Sequence, residues 1–296
     1  MRDQPRLSRP STKKTSENIE EFRCLIHDDS YLTINETQLE TGWYTTTRMN
    51  NRRHGHTASV LTNEKVLVVG GTVDGYITLD STELFDPLTE TWTATGGLNV
   101  ARFAHAASVL PNGKNLYDPS TGIWTLTGNM TYERHFHRVS ILTNGKALVT
   151  GGKYGNYFLN SAELYDPSTG MWSLTGSMNG YRYWHTAFVL NNGKVLVAGG
   201  HNNWIMLNTG ELYDSSTGTR TTTGSMNTAR AAHMAIVLTN GKVLATGGNN
   251  SNVFLNSAEL YDSLTESWTT IGNMNHSRCY HTASMLINGS VSYWWL

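Results

Sequence analysis

Apolar residues in this chain arrive in short runs of about five, separated by polar clusters rich in Asn, Asp, Ser, Thr and Gly. Residues 182–230 show the pattern most cleanly. Thr186-Ala-Phe-Val-Leu190 is followed by Asn191-Asn-Gly-Lys194 and then by Val195-Leu-Val-Ala-Gly-Gly200. After a variable stretch come Glu211-Leu-Tyr-Asp214 and a Thr-rich run that ends at Met226. Runs this short, rich in Val, Leu, Thr and Tyr and bounded by turn residues, predict strands joined by tight turns. None is long enough for a helical period to bury one face. Four antiparallel strands, A to D, are therefore expected in this stretch. Asn-Gly between A and B tolerates the positive φ of a two-residue hairpin. Between C and D, Asp-Pro-Ser-Thr-Gly and its variants supply a preset φ and a closing glycine.

The same stretch returns along the chain. An Arg-x-x-His step occurs six times, at Arg53/His56, Arg102/His105, Arg134/His137, Arg182/His185, Arg230/His233 and Arg278/His281. Successive His positions lie 49, 32, 48, 48 and 48 residues apart. Ten residues before each Arg stands Trp43, Trp92, Trp124, Trp172 or Trp268, with Arg220 as the exception. A fixed period of this length means stacked copies of one supersecondary unit. A four-stranded sheet cannot bury both faces alone; radial stacking buries the sheets against one another and leaves only short edges. The recurring Trp is then a large apolar wedge between sheets. The doublets Gly70-Gly71, Gly151-Gly152, Gly199-Gly200 and Gly247-Gly248, each ending strand B, permit close backbone approach.

A glycine doublet after an apolar run, then Tyr-Asp (Tyr165-Asp166, Tyr213-Asp214, Tyr261-Asp262; Phe85-Asp86 once), then Trp six or seven residues on, resembles the kelch family of β-propellers. The resemblance spans roughly residues 43–290 and implies an all-β, six-bladed propeller. Residues 1–29 are expected to be a disordered lead-in, polar and mixed in charge, and residues 30–296 a single propeller. The second unit is truncated: Pro111-Asn-Gly-Lys114 runs directly into Asn115-Leu-Tyr-Asp-Pro119, so strand B and its doublet are missing. An A–D hairpin bridged by a long loop is expected there, unless the gap is a gene-model artefact. The chain ends part-way through a unit and begins with a Trp43 that lacks preceding strands. An N-terminal strand, Thr45–Met49, is therefore expected to close the ring against Thr282–Leu286, with Tyr31–Asn35 as its C strand.

Composition removes several function classes. A formal net charge of −1, from 22 basic and 23 acidic residues, offers no attraction for nucleic acid or an anionic membrane. No apolar run reaches bilayer length, and no secretory h-region opens the chain, so a cytoplasmic location is expected. Cys24 and Cys279 make neither a disulfide framework nor a zinc site.

Function is expected on one face of the ring. The A–B and C–D turns are monotonous, whereas the D–A and B–C loops of the opposite face differ from unit to unit. Loops that meet a partner are free to differ. Aromatic residues concentrate there in two neighbouring units: Phe136, Tyr154, Tyr157, Tyr181, Tyr183, Trp184 and Trp204. These, with Arg134 and Arg182, are the candidate binding residues, on the precedent that Tyr, Trp and Arg dominate hot spots. The bland alternatives are that the aromatics pack between units and that each Arg pairs with a strand C carboxylate (Glu83, Glu163, Glu211, Glu259). The expected function is a non-catalytic scaffold that binds a protein or peptide segment and needs no cofactor. Two alternatives stand beside it: glycan binding through the Trp and Tyr loops, and, from the resemblance, a copper enzyme like the galactose oxidases, which share the fold. The latter chemistry requires Tyr and His ligands converging on one metal and a Cys–Tyr crosslink.

Overall fold

The computed structural model describes residues 47–107, 117–251, 253–285 and 291–294. Trp43, Tyr31–Asn35, Thr45 and the segment 1–29 lie outside the described residues. Among the described residues all regular structure is β, with no helix.

Four units form complete four-stranded antiparallel sheets in the order A-B-C-D. The first comprises β1 (Thr57–Val60), β2 (Val66–Val69), β3 (Thr82–Asp86) and β4 (Thr91–Thr95). The truncated unit contributes only β5 (Tyr117–Asp118) paired with β6 (Ile123–Trp124). The next sheet is β7 (Arg138–Ile141), β8 (Ala147–Thr150), β9 (Ala162–Asp166) and β10 (Met171–Thr175). It is followed by β11 (Thr186–Val189), β12 (Val195–Ala198), β13 (Gly210–Asp214) and β14 (Thr219–Thr223). The last complete sheet is β15 (Met234–Val237), β16 (Val243–Thr246), β17 (Ser257–Asp262) and β18 (Ser267–Asn273). A final pair, β19 (Thr282–Met285) and β20 (Val291–Trp294), supplies A and B of a further unit.

So the described residues show four complete blades where the repeats give six units. In the truncated unit the described ladder joins the ends of C and D; the A strand of the expected A–D hairpin lies outside the described residues. The intact Asp-Pro-Ser-Thr-Gly turn closes that hairpin locally. Tyr117 also has a place waiting in the preceding blade: its hydroxyl meets Thr95 Oγ1 at 2.6 Å, and its ring lies 5.0 Å from Trp124.

The radial arrangement follows from which strands are buried and which touch. In the four complete blades the B strands are buried along their whole length. The A strands β7, β11, β15 and β19 neighbour one another in turn, so they line the axis. The apolar cores lie between blades. Leu190, Leu196 and Leu212 pack with Met226, Val243, Tyr261 and Trp268 of the next sheet. Leu142, Leu148 and Met178 pack with Val195, Val197 and Tyr213.

The tryptophans brace their own blades, and two of them also tie their blade to the chain before it. Each stacks on the cross-strand Phe or Tyr of its own C strand: Phe85–Trp92 at 5.0 Å, Tyr165–Trp172 at 5.1 Å and Tyr261–Trp268 at 5.1 Å. The indole N–H of Trp124 also donates to the Gly96 carbonyl of the preceding blade at 2.8 Å. Trp92 donates in the same manner to the carbonyl of Thr47 at 2.9 Å. Glycine ends strand D here because a Cβ on Gly176 would fall 2.2 Å from the Gly218 carbonyl oxygen.

Candidate functional site

The two loop sets of the variable face are zipped together within each blade. His54 bridges Thr72, His135 bridges Lys153, Tyr183 bridges His201 and Ala231 bridges Asn249. Each bridge ties a D–A loop to the start of its own B–C loop. The second glycine of each doublet secures the same region from below. Gly200, for example, donates its N–H to the Arg230 carbonyl of the next blade at 2.9 Å.

A backbone hoop then runs from blade to blade. Ala104 N–H donates to Gly55 O, Phe136 to Ala104, Trp184 to Phe136, Ala232 to Trp184 and Tyr280 to Ala232, at 2.7–3.3 Å. All six residues are in the left-handed region, with φ between 48° and 62°. Only one of the six is glycine. A bulky residue there is strained, and such strain clusters at functional sites.

On this hoop stands a continuous aromatic cluster. Phe136 contacts Trp184 at 5.2 Å, Trp184 contacts Tyr280 at 5.6 Å, and Tyr183 lies 4.7 Å from Trp184. Phe103 and His135 extend it on one side, and Phe158 and His201 stack around Tyr183. Of the sequence candidates, the structure thus brings together Phe136, Tyr183 and Trp184. Tyr183 is buried within the cluster, whereas Phe136 and Trp184 are partly open. Tyr154, Tyr157, Tyr181 and Trp204 stand apart from it on the loops and are exposed, Trp204 at 83%. Tyr280, Phe103 and Phe158 were not among the candidates. Their positional equivalence would have found the first: Gly55, Ala104, Phe136, Trp184, Ala232 and Tyr280 each directly precede the repeat histidine.

Arg134 and Arg182 are not presented to a ligand. Arg134 donates to Glu163 Oε1 at 2.5 Å, to Ser161 Oγ, and to the carbonyls of Gly151 and Ser161. Arg182 makes the corresponding bonds to Glu211, Thr209 and Gly199. Arg53–Glu83 and Arg230–Glu259 repeat the arrangement. The same carboxylates also accept the loop amides of Asn50 and Asn51, Thr131 and Tyr132, Asn179, and Asn227 and Thr228. A buried charge is tolerable when paired and hydrogen-bonded, and each of these pairs is, although Nε of Arg134, Arg182 and Arg230 is buried without a partner. The ion pair therefore shapes the D–A loop from beneath.

The histidines are interblade ties. Nε2 of His105, His185, His233 and His281 meets the hydroxyl of Thr57, Thr150, Thr186 or Thr246 of the preceding unit, each at 3.0 Å. In each A–B ladder the first residue of A faces the last of B, and one member of the pair is Thr. Either strand serves, because both hydroxyls reach the same spot. Burial, with the nearby Arg134, pushes the imidazole of His137 down to about 3. Burial does the same to His105 and His281, to about 4.

The opposite face is chemically closed on itself. Lys65, Lys146 and Lys242 of the A–B turns pair with Asp86, Asp166 and Asp262 of the C–D turns at 2.9–3.1 Å. The other oxygen of each aspartate accepts the amide two residues on. Among the described residues no three His, Cys, Asp or Glu side chains are placed to hold a metal. No helix among the described residues is long and apolar enough to cross a membrane.

Comparison with known proteins fits this architecture. No curated protein matches the chain in sequence. A solved structure, that of YjhT, superposes with a TM-score of 0.63 over 81% of this chain and 90% of that one, at 14% identity. That likeness shows the fold alone. The Kelch motif matches residues 52–99, 136–179, 185–227 and 230–275, together more than half of the sequence. The chain belongs to the kelch-repeat family of β-propellers.

Proposed function

We propose that this protein is a binding scaffold that engages a segment of another protein on its D–A/B–C loop face. The observation that supports this most is the aromatic cluster of Phe136, Trp184 and Tyr280, set on the strained hoop at the centre of that face. Around it, Tyr154, Tyr157, Tyr181 and Trp204 offer exposed apolar surface with polar tips. Such residues are the usual anchors of protein interfaces. On the turn face Lys65, Lys146 and Lys242 are already paired with Asp86, Asp166 and Asp262, and the exposed apolar residues of its turns are single leucines, Leu88 and Leu264, rather than aromatics.

The same reading takes the ring as six units. The hoop has six members, and two units contribute partial sheets. Thr47 accepts the Trp92 indole as Gly96 accepts that of Trp124, the place held by the end of a preceding D strand. Residues leading to Thr47 would then supply that strand and close the ring.

The test begins with selection of peptides from a displayed random library on the immobilised protein. Calorimetry then compares Trp204→Ala and Tyr157→Ala with Lys146→Ala and Lys194→Ala. An anchor aromatic should contribute about 2 kcal/mol, roughly a thirtyfold loss of affinity on truncation. The lysine variants should bind as the parent does. Sensitivity confined to the lysines would place the site on the turn face and end this reading.

A further inference from the structure

Arg138 opens the innermost strand β7, two residues beyond Phe136 of the hoop. It forms no hydrogen bond or ion pair with any described residue, unlike Arg53, Arg134, Arg182 and Arg230. Arg138 is solvent-exposed although it begins an A strand, and the A strands neighbour one another around the axis, so its side chain opens onto the axial side of the sheets. Desolvation pulls its pKa down, with no carboxylate opposing it, and its charge bears on His137, His185 and His233 of three successive units.

The equivalent positions in the other units are Thr57, Ala106, Thr186, Met234 and Thr282. Among the six positions of this layer Arg138 is the one ionisable side chain. Above the layer lie Phe136, Trp184 and Tyr280, each two residues before its own member of it. The hydroxyls of Thr57 and Thr186 are held there by His105 and His233.

We propose that the channel mouth binds a carboxylate on the guanidinium of Arg138, beneath the aromatic collar of Phe136, Trp184 and Tyr280. A single guanidinium matches a monoanion in charge and a planar carboxylate in shape, through two parallel N–H···O bonds. Arg53, Arg134, Arg182 and Arg230 are committed to Glu83, Glu163, Glu211 and Glu259, so none of these four guanidiniums is free to balance the second charge of a phosphate dianion. The collar suits an apolar or planar group attached to that carboxylate. Two sources share this chemistry: a small free acid, and an acidic side chain on a partner segment. The proposal rests on the loop face being the binding face.

The experiment uses the full chain with benzoate as probe and benzamide as its uncharged counterpart, followed by calorimetry and Trp fluorescence. Benzoate should bind saturably and benzamide at least tenfold more weakly. Arg138→Met, which installs the side chain of the equivalent Met234, should weaken benzoate at least tenfold with an unchanged melting temperature. Arg138→Lys should retain part of the affinity. A blocked Glu tripeptide that displaces benzoate, when its Gln counterpart does not, assigns the site to a partner segment. Benzoate binding without such displacement assigns it to a small acid. No saturable benzoate binding, equal binding by Arg138→Met, or tighter binding of inorganic phosphate would each overturn the proposal. These failures are separable from failure of the loop-face reading, which is read from selected-peptide affinity in Trp204→Ala.

Discussion

Arg220 Nε donates to the carbonyl of Gly176 in the preceding blade at 2.7 Å, the bond that the Trp124 indole makes to Gly96 at 2.8 Å. The guanidinium also lies over Tyr213 at 4.9 Å, where the other blades stack an indole on Tyr or Phe. Arginine thus copies both functions of the missing tryptophan. It leaves two buried nitrogens, Nη1 and Nη2, without partners. Burial pulls its pKa down to about 10.

Arg220→Trp should therefore stabilise the protein, by about 1–2 kcal/mol, because it removes unsatisfied buried donors and restores apolar cover. Urea denaturation of the variant reads this directly. A lower midpoint would show that this interface has repacked around arginine and no longer admits an indole.

The buried ion pairs and the surface ion pairs should differ sharply in worth. Arg230→Met strands Glu259, which is fully buried, and should cost about 3–5 kcal/mol. Lys242→Met removes the solvent-screened pair with Asp262 and should change stability far less. Similar losses in the two variants, measured by chemical denaturation, would contradict the assignment of Arg230 and Glu259 as the supports of the loop.

Stability should fall as the pH is lowered through the histidine range. The folded values of His105, His137 and His281, about 3 to 4, lie below the ordinary 6.5. The unfolded chain therefore binds protons that the folded chain refuses. Their contribution is fully present above about pH 6.5 and is lost as pH falls toward the folded values, by up to about 1.4 kcal/mol per pH unit for each imidazole. Denaturation midpoints at pH 7.5, 6.5, 5.5 and 4.5 would follow this. A flat profile would mean that the imidazoles charge in the folded state and do not serve as neutral partners of threonine.

Ala232 has φ 50° on the hoop, where Gly55 takes 62°. Ala232→Gly should raise stability by about 0.5–1 kcal/mol, since relief of the left-handed strain exceeds the added flexibility of the unfolded chain. Ala→Gly at Ala245, inside strand β16, should do the opposite. Thermal melts of the two variants give the comparison.

Much of this fold was legible because it is written several times. The period, the strand runs and the hairpin signals of Asn-Gly and Asp-Pro-Ser-Thr-Gly named the blades, and the recurrence of Arg and Glu at fixed spacing suggested their pairing. Phe136, Tyr183 and Trp184 were also legible as aromatics on neighbouring variable loops. The hoop was not. Gly55, Ala104, Phe136, Trp184, Ala232 and Tyr280 share no propensity, and their common φ is imposed by interblade hydrogen bonds that no local sequence encodes. Arg138 escaped notice for a related reason: Thr, Ala, Met and Arg at equivalent positions read as noise until the channel gives the position a meaning. The short C–D ladder at Tyr117 was missed because its pairing is supported by Thr95 and Trp124 rather than by its own length.

If the loop face is the binding face proposed above, the hoop separates what the protein recognises from what keeps it folded. Its bonds use only main-chain atoms, so the backbone has accepted hydrogen, methyl, phenyl, indole and phenol side chains at the same φ. The six positions behave as sockets of one shape. A change of side chain there rewrites the chemistry at the mouth, while the Arg–Glu pairs and His–Thr ties beneath continue to hold the blades. Specificity can thus drift without a new fold, and a designer could exchange collars on this frame one socket at a time.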